Sequence, residues 1–119
     1  MARVLIVEDE TSQRYLISNL LTCHGHEAVA TCGPLDAAQA IEWFRPDVVV
    51  ADYHAGIDQT GLEAAETLRG VLPNVRLVFV TQESKEILEE DARHLKPFRV
   101  VNQPWHCQDL MGAVQAELD

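Results

Sequence analysis

The sequence predicts an α/β fold, a doubly wound five-stranded parallel sheet with helices on both faces. Three observations carry that prediction. Short β-branched runs alternate with segments of helical spacing along all 119 residues, the pattern of repeated βα units. Three of the runs are apolar on consecutive residues, which implies burial on both sheet faces and therefore parallel pairing. Glycine and proline punctuate the joins, and successive parallel strands are linked by right-handed crossovers.

Taken in order, β1 (residues 4–7) reads Val-Leu-Ile-Val, and α1 (around 16–21) carries Leu16, Ile17, Leu20 and Leu21 at helical spacing. Gly25 follows as a C-cap, then β2 (28–30), then Gly33-Pro34 opening α2 (35–41) with Leu35, Ala38 and Ile41 as its apolar positions. Pro46 precedes β3 (48–51), and α3 (62–68) carries Leu62, Ala65 and Leu68 before Gly70 and Pro73 close it. β4 (75–80) leads to a short acidic α4 (84–91). β5 (99–101) and α5 (110–118), with Leu110, Val114 and Leu118, complete the fold.

Composition bounds the function. Nine Lys+Arg against 19 Asp+Glu give a net charge of −10, and 47% apolar content is ordinary for a globular chain of this length. Disordered and fibrous classes are excluded, and the negative charge disfavours nucleic acid and anionic membrane surfaces. Cys23, Cys32 and Cys107 cannot all pair within one chain and form no CxxC, so reduced thiols are expected. The four apolar residues after Met1-Ala2-Arg3 are too few for a signal peptide or a membrane span, which points to the cytoplasm.

Function in doubly wound folds collects outside the carboxyl ends of the strands. Here β1 exits into Glu8-Asp9-Glu10, β3 into Asp52-Tyr53-His54, β4 into Thr81-Gln82-Glu83 and β5 into Asn102-Gln103-Pro104. With the common strand order 2-1-3-4-5, β1 and β3 are neighbours and Glu8, Asp9 and Asp52 form a carboxylate cluster. Two carboxylates about 4 Å apart repel by roughly 4 kcal/mol at an effective dielectric near 20, so the cluster raises its pKa values or binds a cation. Oxygen ligands with room for water suit Mg²⁺. Nucleotide binding at the first turn is disfavoured, because Glu-Asp-Glu stands where glycines would cradle phosphate.

Together these segments resemble the receiver domain of two-component response regulators, a flavodoxin-like (βα)5 fold, over the whole of residues 1–119. Val4-Leu5-Ile6-Val7-Glu8-Asp9-Glu10 resembles the family's first strand and acidic pair. Val48-Val49-Val50-Ala51-Asp52-Tyr53 resembles the strand leading to the phospho-accepting aspartate, Thr60-Gly61-Leu62-Glu63 the opening of the third helix, and Val78-Phe79-Val80-Thr81 the strand ending in the switch hydroxyl. The resemblance implies one receiver-like domain in which Asp52 accepts a phosphoryl group from a sensor histidine kinase or phosphotransfer protein. It implies that Asp9, Asp52 and the backbone carbonyl of His54 bind Mg²⁺, that Glu8 supports the metal through water, and that Thr81 bonds a phosphoryl oxygen. With nothing after residue 119, output is expected through a downstream protein partner, with a homodimer through the α4-β5-α5 face as one form. A receiver belonging to a longer kinase or regulator stays open.

The pattern departs from the family at two strand-end positions. The lysine that the family places before proline after β5 is Gln103, and the aromatic three residues earlier is Val100. Lys96-Pro97-Phe98 has the family's letters, yet it lies only 15 residues after Thr81, too close for an intervening helix and strand. An amide in place of an ammonium removes roughly 1–1.5 kcal/mol from a charged hydrogen bond, about tenfold in rate. Phosphorylation is thereby weakened, and the alternative is a pseudo-receiver, an interaction module that works without it. A small hydrolase using Asp52 as nucleophile is a third reading, without a cap domain to support it. The loop Tyr53-His54-Ala55-Gly56 lacks the family's frequent proline, and His54 reads as a solvent-facing loop residue, with shielding of, or donation to, an acyl phosphate as its alternative. Cys23, His24, His26 and Cys32 have irregular spacing and read as loop residues rather than a metal site. Cys107, beside His106, reads as a core-edge thiol. The acidic run 83–91 reads as a solvated helix face, with a partner surface as its alternative.

Overall fold

A computed structural model describes residues 1–54 and 60–119. Ala55 and Gly56, and with them the question of the missing loop proline, lie outside the described residues. Five parallel strands, β1 (Arg3–Val7), β2 (Glu27–Thr31), β3 (Val48–Tyr53), β4 (Arg76–Thr81) and β5 (Arg99–Asn102), form one sheet in the order β2-β1-β3-β4-β5. Among the described residues, five α-helices connect and close them: α1 (Thr11–Cys23), α2 (Pro34–Ala40), α3 (Thr60–Val71), α4 (Lys85–Asp91) and α5 (Cys107–Leu118). A 3₁₀ turn, Arg93–Leu95, leads from α4 towards β5. The doubly wound fold class and strand order are those the sequence predicts.

The central strands are apolar throughout because each residue meets one of two cores. Leu5, Val7, Val49, Ala51, Tyr53, Leu77 and Phe79 pack against α2 and α3. Their sequence neighbours Val4, Ile6, Val48, Val50, Val78 and Val80 pack on the other face against α1 and α5. Each such aliphatic side chain contributes about 1.5–3 kcal/mol by leaving water, so neither face tolerates a polar residue without compensation. The first polar residue of β3, Asp52, continues the Val48-Val50 face just where that core ends at the carboxyl edge. Tyr53 continues the other face and remains in the core.

Helix boundaries follow local chemistry. Ser84 caps α4, its hydroxyl accepting the Ile87 N–H at 3.2 Å. Gly25 turns the chain after α1 with a positive φ of 87°. Two sequence expectations shift. Leu35 is 74% exposed, and the buried stripe of α2 and the turn after it is Ala37, Ala40, Ile41 and Phe44; the helix is short enough for its apolar phase to be misread. Gly70 lies inside α3, which continues to Val71 before Pro73 ends it. Among the described residues, no helix is long and apolar enough to cross a membrane.

Candidate functional site

The carboxyl ends of β1, β3, β4 and β5 converge because parallel register aligns them. Val7 pairs with Ala51, Asp52 with Val80, and Thr81 with Asn102. Glu8 therefore leaves β1 beside Asp52. The Glu8 N–H donates to the Thr31 carbonyl at 3.0 Å, which fixes the strand exit, and its Oε1 accepts the Glu10 N–H at 3.0 Å.

Glu8 and Asp52 are both buried, at 3% and 7% exposure. Burial first, and the neighbouring Asp52 carboxylate second, push the Glu8 carboxyl from 4.5 up to about 8. Burial also raises Asp52, opposed by its contact with His54. Glu8 thus holds a proton beside Asp52 near neutral pH.

Asp9 and His54 are exposed and stand at the rim. Carboxylate oxygens of Asp9 and Asp52 and a ring nitrogen of His54 all lie within 4.8 Å of one another. The His54 imidazole Nε2 sits 2.6 Å from Asp52 Oδ2. The other oxygen, Asp52 Oδ1, is buried and has no hydrogen-bond partner among the described residues. A buried oxygen without a donor costs about 1–3 kcal/mol, which the proton on the neighbouring Glu8 carboxyl offsets when present and a cation would offset when it is not. The donors present fit a divalent metal ion held by Asp9 and Asp52, with Glu8 behind them.

Thr81 is fully buried at the end of β4, its Oγ accepting the Glu83 N–H at 2.9 Å. Gln103 directly follows β5, and its N–H donates to the Thr81 carbonyl at 2.7 Å, tying the two strand ends together. The Gln103 side chain lines a groove of about 310 Å³ with Gln13, Leu16, Gln82, Pro104 and Trp105. Lys96 precedes β5, with its ammonium 3.8 Å from Glu89. Among the described residues, the basic side chain in contact with Asp52 is the His54 imidazole.

Other residues at or beside the site escaped sequence reasoning. The Arg14 guanidinium donates to the Glu8 carbonyl at 2.9 Å and the Asp9 carbonyl at 3.5 Å, bracing the acidic turn from α1. Its position one turn into the helix after the acids is the only signal for it. The Tyr53 hydroxyl donates to Asp91 at the end of α4, a contact between distant segments that no spacing reveals. A Cβ at Gly61 would stand 1.6 Å from the Asp52 carbonyl oxygen, so α3 approaches β3 at a distance only glycine permits. Elsewhere, His24 and His26 are engaged with the backbone of Leu20 and Ala2, and Cys23 and Cys32 are exposed free thiols.

Residues 4–115 match the family model of the response regulator receiver domain. The chain belongs to that family. The receiver is similar to sporulation initiation phosphotransferase F of Bacillus subtilis, 22% identical over 98% of this chain and 93% of that protein. It is 29% identical to the transcriptional regulatory protein PdtaR of Mycobacterium tuberculosis, over 95% of this chain and 55% of that one, so it spans about half the length of that relative. In structure it resembles the Vibrio cholerae chemotaxis protein CheY4, with a TM-score of 0.86 and 22% identity over 98% of both chains. NtrX of Brucella abortus superposes with a TM-score of 0.85 and 22% identity over 98% of this receiver and 27% of that chain. These likenesses agree with the fold.

Proposed function

We propose that residues 1–119 act as one receiver unit of a two-component phosphorelay, with Asp52 as phosphoacceptor. The observation that carries the reading is the buried Asp52 carboxyl at the end of β3, with Glu8 beside it and an Asp9–His54 rim around it. An Asp52 oxygen attacks the phosphorus of a phosphohistidine on a sensor kinase or phosphotransfer protein. The new P–O bond forms as the P–N bond breaks, and the imidazole leaves with a proton. Mg²⁺, held by Asp9, Asp52 and the His54 carbonyl with Glu8 as support, supplies charge to the phosphoryl oxygens when bound.

Glu8, protonated near neutral pH, limits the negative charge beside the nucleophile. Thr81 offers its hydroxyl proton to a phosphoryl oxygen, and Gln103 offers a neutral amide where the family's lysine would stand. The activity is self-phosphorylation and its reversal rather than turnover of an external substrate. The expected setting is the cytoplasm, and the expected output is contact with a downstream protein or a second receiver through the α4-β5-α5 face.

Incubation with Mg²⁺ and a small phosphodonor, followed by intact-mass measurement, is expected to show one added phosphoryl group that is absent in Asp52→Ala. An unmodified mass for the native chain, also after exposure to a beryllofluoride mimic, would instead support the pseudo-receiver. That second reading is favoured by Gln103 and by Val100, a small side chain half-buried against the α3-side core.

A further inference from the structure

The amino-terminal edge of the sheet carries a second concave surface. β4 runs from Arg76 there to Thr81 at the carboxyl edge, and five steps of about 3.3 Å put the two ends roughly 16 Å apart. Arg69 of α3 and Arg76 line a cavity of about 260 Å³ with Pro73, Asn74, Pro97 and Glu117. It shares Pro73, Asn74, Arg76 and Glu117 with a groove of about 470 Å³ whose walls include Pro46, Leu72 and Leu118. The Arg69 guanidinium is half-buried and pinned to backbone oxygens. Its Nη1 donates to the Leu95 carbonyl at 2.9 Å, and its Nη2 to the carbonyls of Val75 at 3.1 Å and Pro97 at 3.5 Å. The Arg69 Nε is buried with no acceptor among the described residues. Arg76 is exposed, and neither arginine forms an ion pair among the described residues. Glu117, the acid lining the cavity, has a side chain 14% exposed that already accepts Arg99 Nε at 3.2 Å.

We propose that this edge is a docking groove for an acidic segment of a partner protein, with one carboxylate seated at the Arg69 and Arg76 guanidinium groups and a flanking aliphatic side chain in the adjoining groove. Charge complementarity identifies the occupant. The two guanidinium groups are close enough for the Arg76 charge, after burial, to lower the Arg69 pKa from its ordinary value. They face a cavity whose lining acid is paired with Arg99, in a chain of net charge −10. A half-buried cation served by carbonyls alone keeps uncompensated charge, and a carboxylate meets a planar guanidinium with paired, charged hydrogen bonds. A carboxylate suits the place better than a phosphate, because Glu117, and Asp47 in the adjoining groove, repel a dianion more than a monoanion. Asp47 is itself engaged, its Oδ2 accepting the Arg3 N–H at 2.9 Å. Pro46, Leu72 and Leu118 offer apolar surface to the residue beside the acid. Neither Asp52 nor a metal takes part, so a partner held here leaves the carboxyl edge accessible.

The test titrates the isotope-labelled chain with the peptide acetyl-Leu-Glu-Leu-Glu-Leu-amide and reads backbone amide shifts by NMR. The same peptide with glutamine for both glutamates, and inorganic phosphate, are the comparison ligands. Saturable shifts are expected at residues 72–76 and 117–118, with the glutamine peptide and phosphate each binding about tenfold more weakly or worse. Arg76→Gln changes an exposed residue, so the fold is expected to persist, checked by circular dichroism, while the acidic peptide binds about tenfold more weakly. Lys85→Gln removes the same charge from a lysine lying against Glu89 at the start of α4, and is expected to leave the affinity within about twofold of native. Equal affinity for the glutamine peptide, unchanged affinity in Arg76→Gln, shifts confined to other surfaces, or no saturable shift overturns the proposal. Phosphate binding more tightly than the acidic peptide overturns it as well, since the groove would then hold a phosphate rather than a carboxylate.

Discussion

Glu8→Gln tests the electrostatics of the pocket directly. The side chain is 3% exposed, its carboxyl is raised from 4.5 to about 8, and burial followed by the Asp52 carboxylate are the causes. A folded-state value above the unfolded one means that the folded chain binds the extra proton. The associated stability is therefore present in full below about pH 4.5, declines as pH rises, and is lost above about pH 8. At 1.36 kcal/mol per pH unit the whole excursion is worth roughly 5 kcal/mol, an upper bound because Glu8 and Asp52 share the repulsion. Glutamine keeps the oxygen that accepts the Glu10 N–H at 3.0 Å and removes the charge. In metal-free buffer containing a chelator, the variant should be more stable than the native chain by about 3–5 kcal/mol near pH 8.5, a rise of roughly 10–20 °C in Tm, and nearly equal to it near pH 4.5. Urea unfolding and calorimetry across that range measure the difference. A constant offset with pH, or a variant less stable than native at pH 8.5, would refute the account of Glu8 as the protonated partner.

Gly61→Ala should destabilise the fold by about 2 kcal/mol or more, because the added methyl would stand 1.6 Å from a backbone oxygen that no rotamer change can move; denaturation without loss of midpoint would contradict that close approach. Tyr53→Phe keeps the ring that packs edge-on against Phe79 at 6.3 Å and deletes only the hydroxyl that binds Asp91. A loss of about 1 kcal/mol is expected, and a double-mutant cycle with Asp91→Ala should show most of it as coupling. Gln103→Lys places an ammonium where the structure has an amide directly after β5; the rate of phosphorylation by a small donor should rise about tenfold. An unchanged rate would mean that this position does not contact the phosphoryl group.

Most of the sheet was legible because buried parallel strands leave a continuous mark. Val48-Val49-Val50-Ala51 announces a strand covered on both faces, and the structure extends it by only Asp52 and Tyr53. The carboxylate cluster was legible for a related reason, since the strand order alone brings the residues after β1 beside those ending β3. α2 was read less well. It has seven residues, fewer than the two full turns needed to fix a helical phase, and Leu35 was placed inward when alanines fill that face. Contacts between side chains far apart in sequence left no trace, as with Tyr53 and Asp91, or with the imidazole of His54 turned onto Asp52. Such contacts depend on which segments meet in space, and spacing along one chain does not carry that.

The site's charge balance explains why the departure at Gln103 matters more than its chemistry alone suggests. Among the described residues, no lysine or arginine side chain forms an ion pair with Glu8, Asp9 or Asp52. Arg14 is nearby, but its guanidinium is directed at the carbonyls of Glu8 and Asp9, and Lys85 and Lys96 both lie against Glu89. Neutralisation is left to a proton on Glu8, the His54 imidazole and any ion that arrives from solution. These three are thermodynamically linked, because a cation that binds the acids disfavours the Glu8 proton, and deprotonation of Glu8 in turn strengthens the cation. A tethered lysine would hold the balance fixed at every pH below its own titration. With an amide in that place, the charge state of the pocket follows the ion supply and the pH of its surroundings.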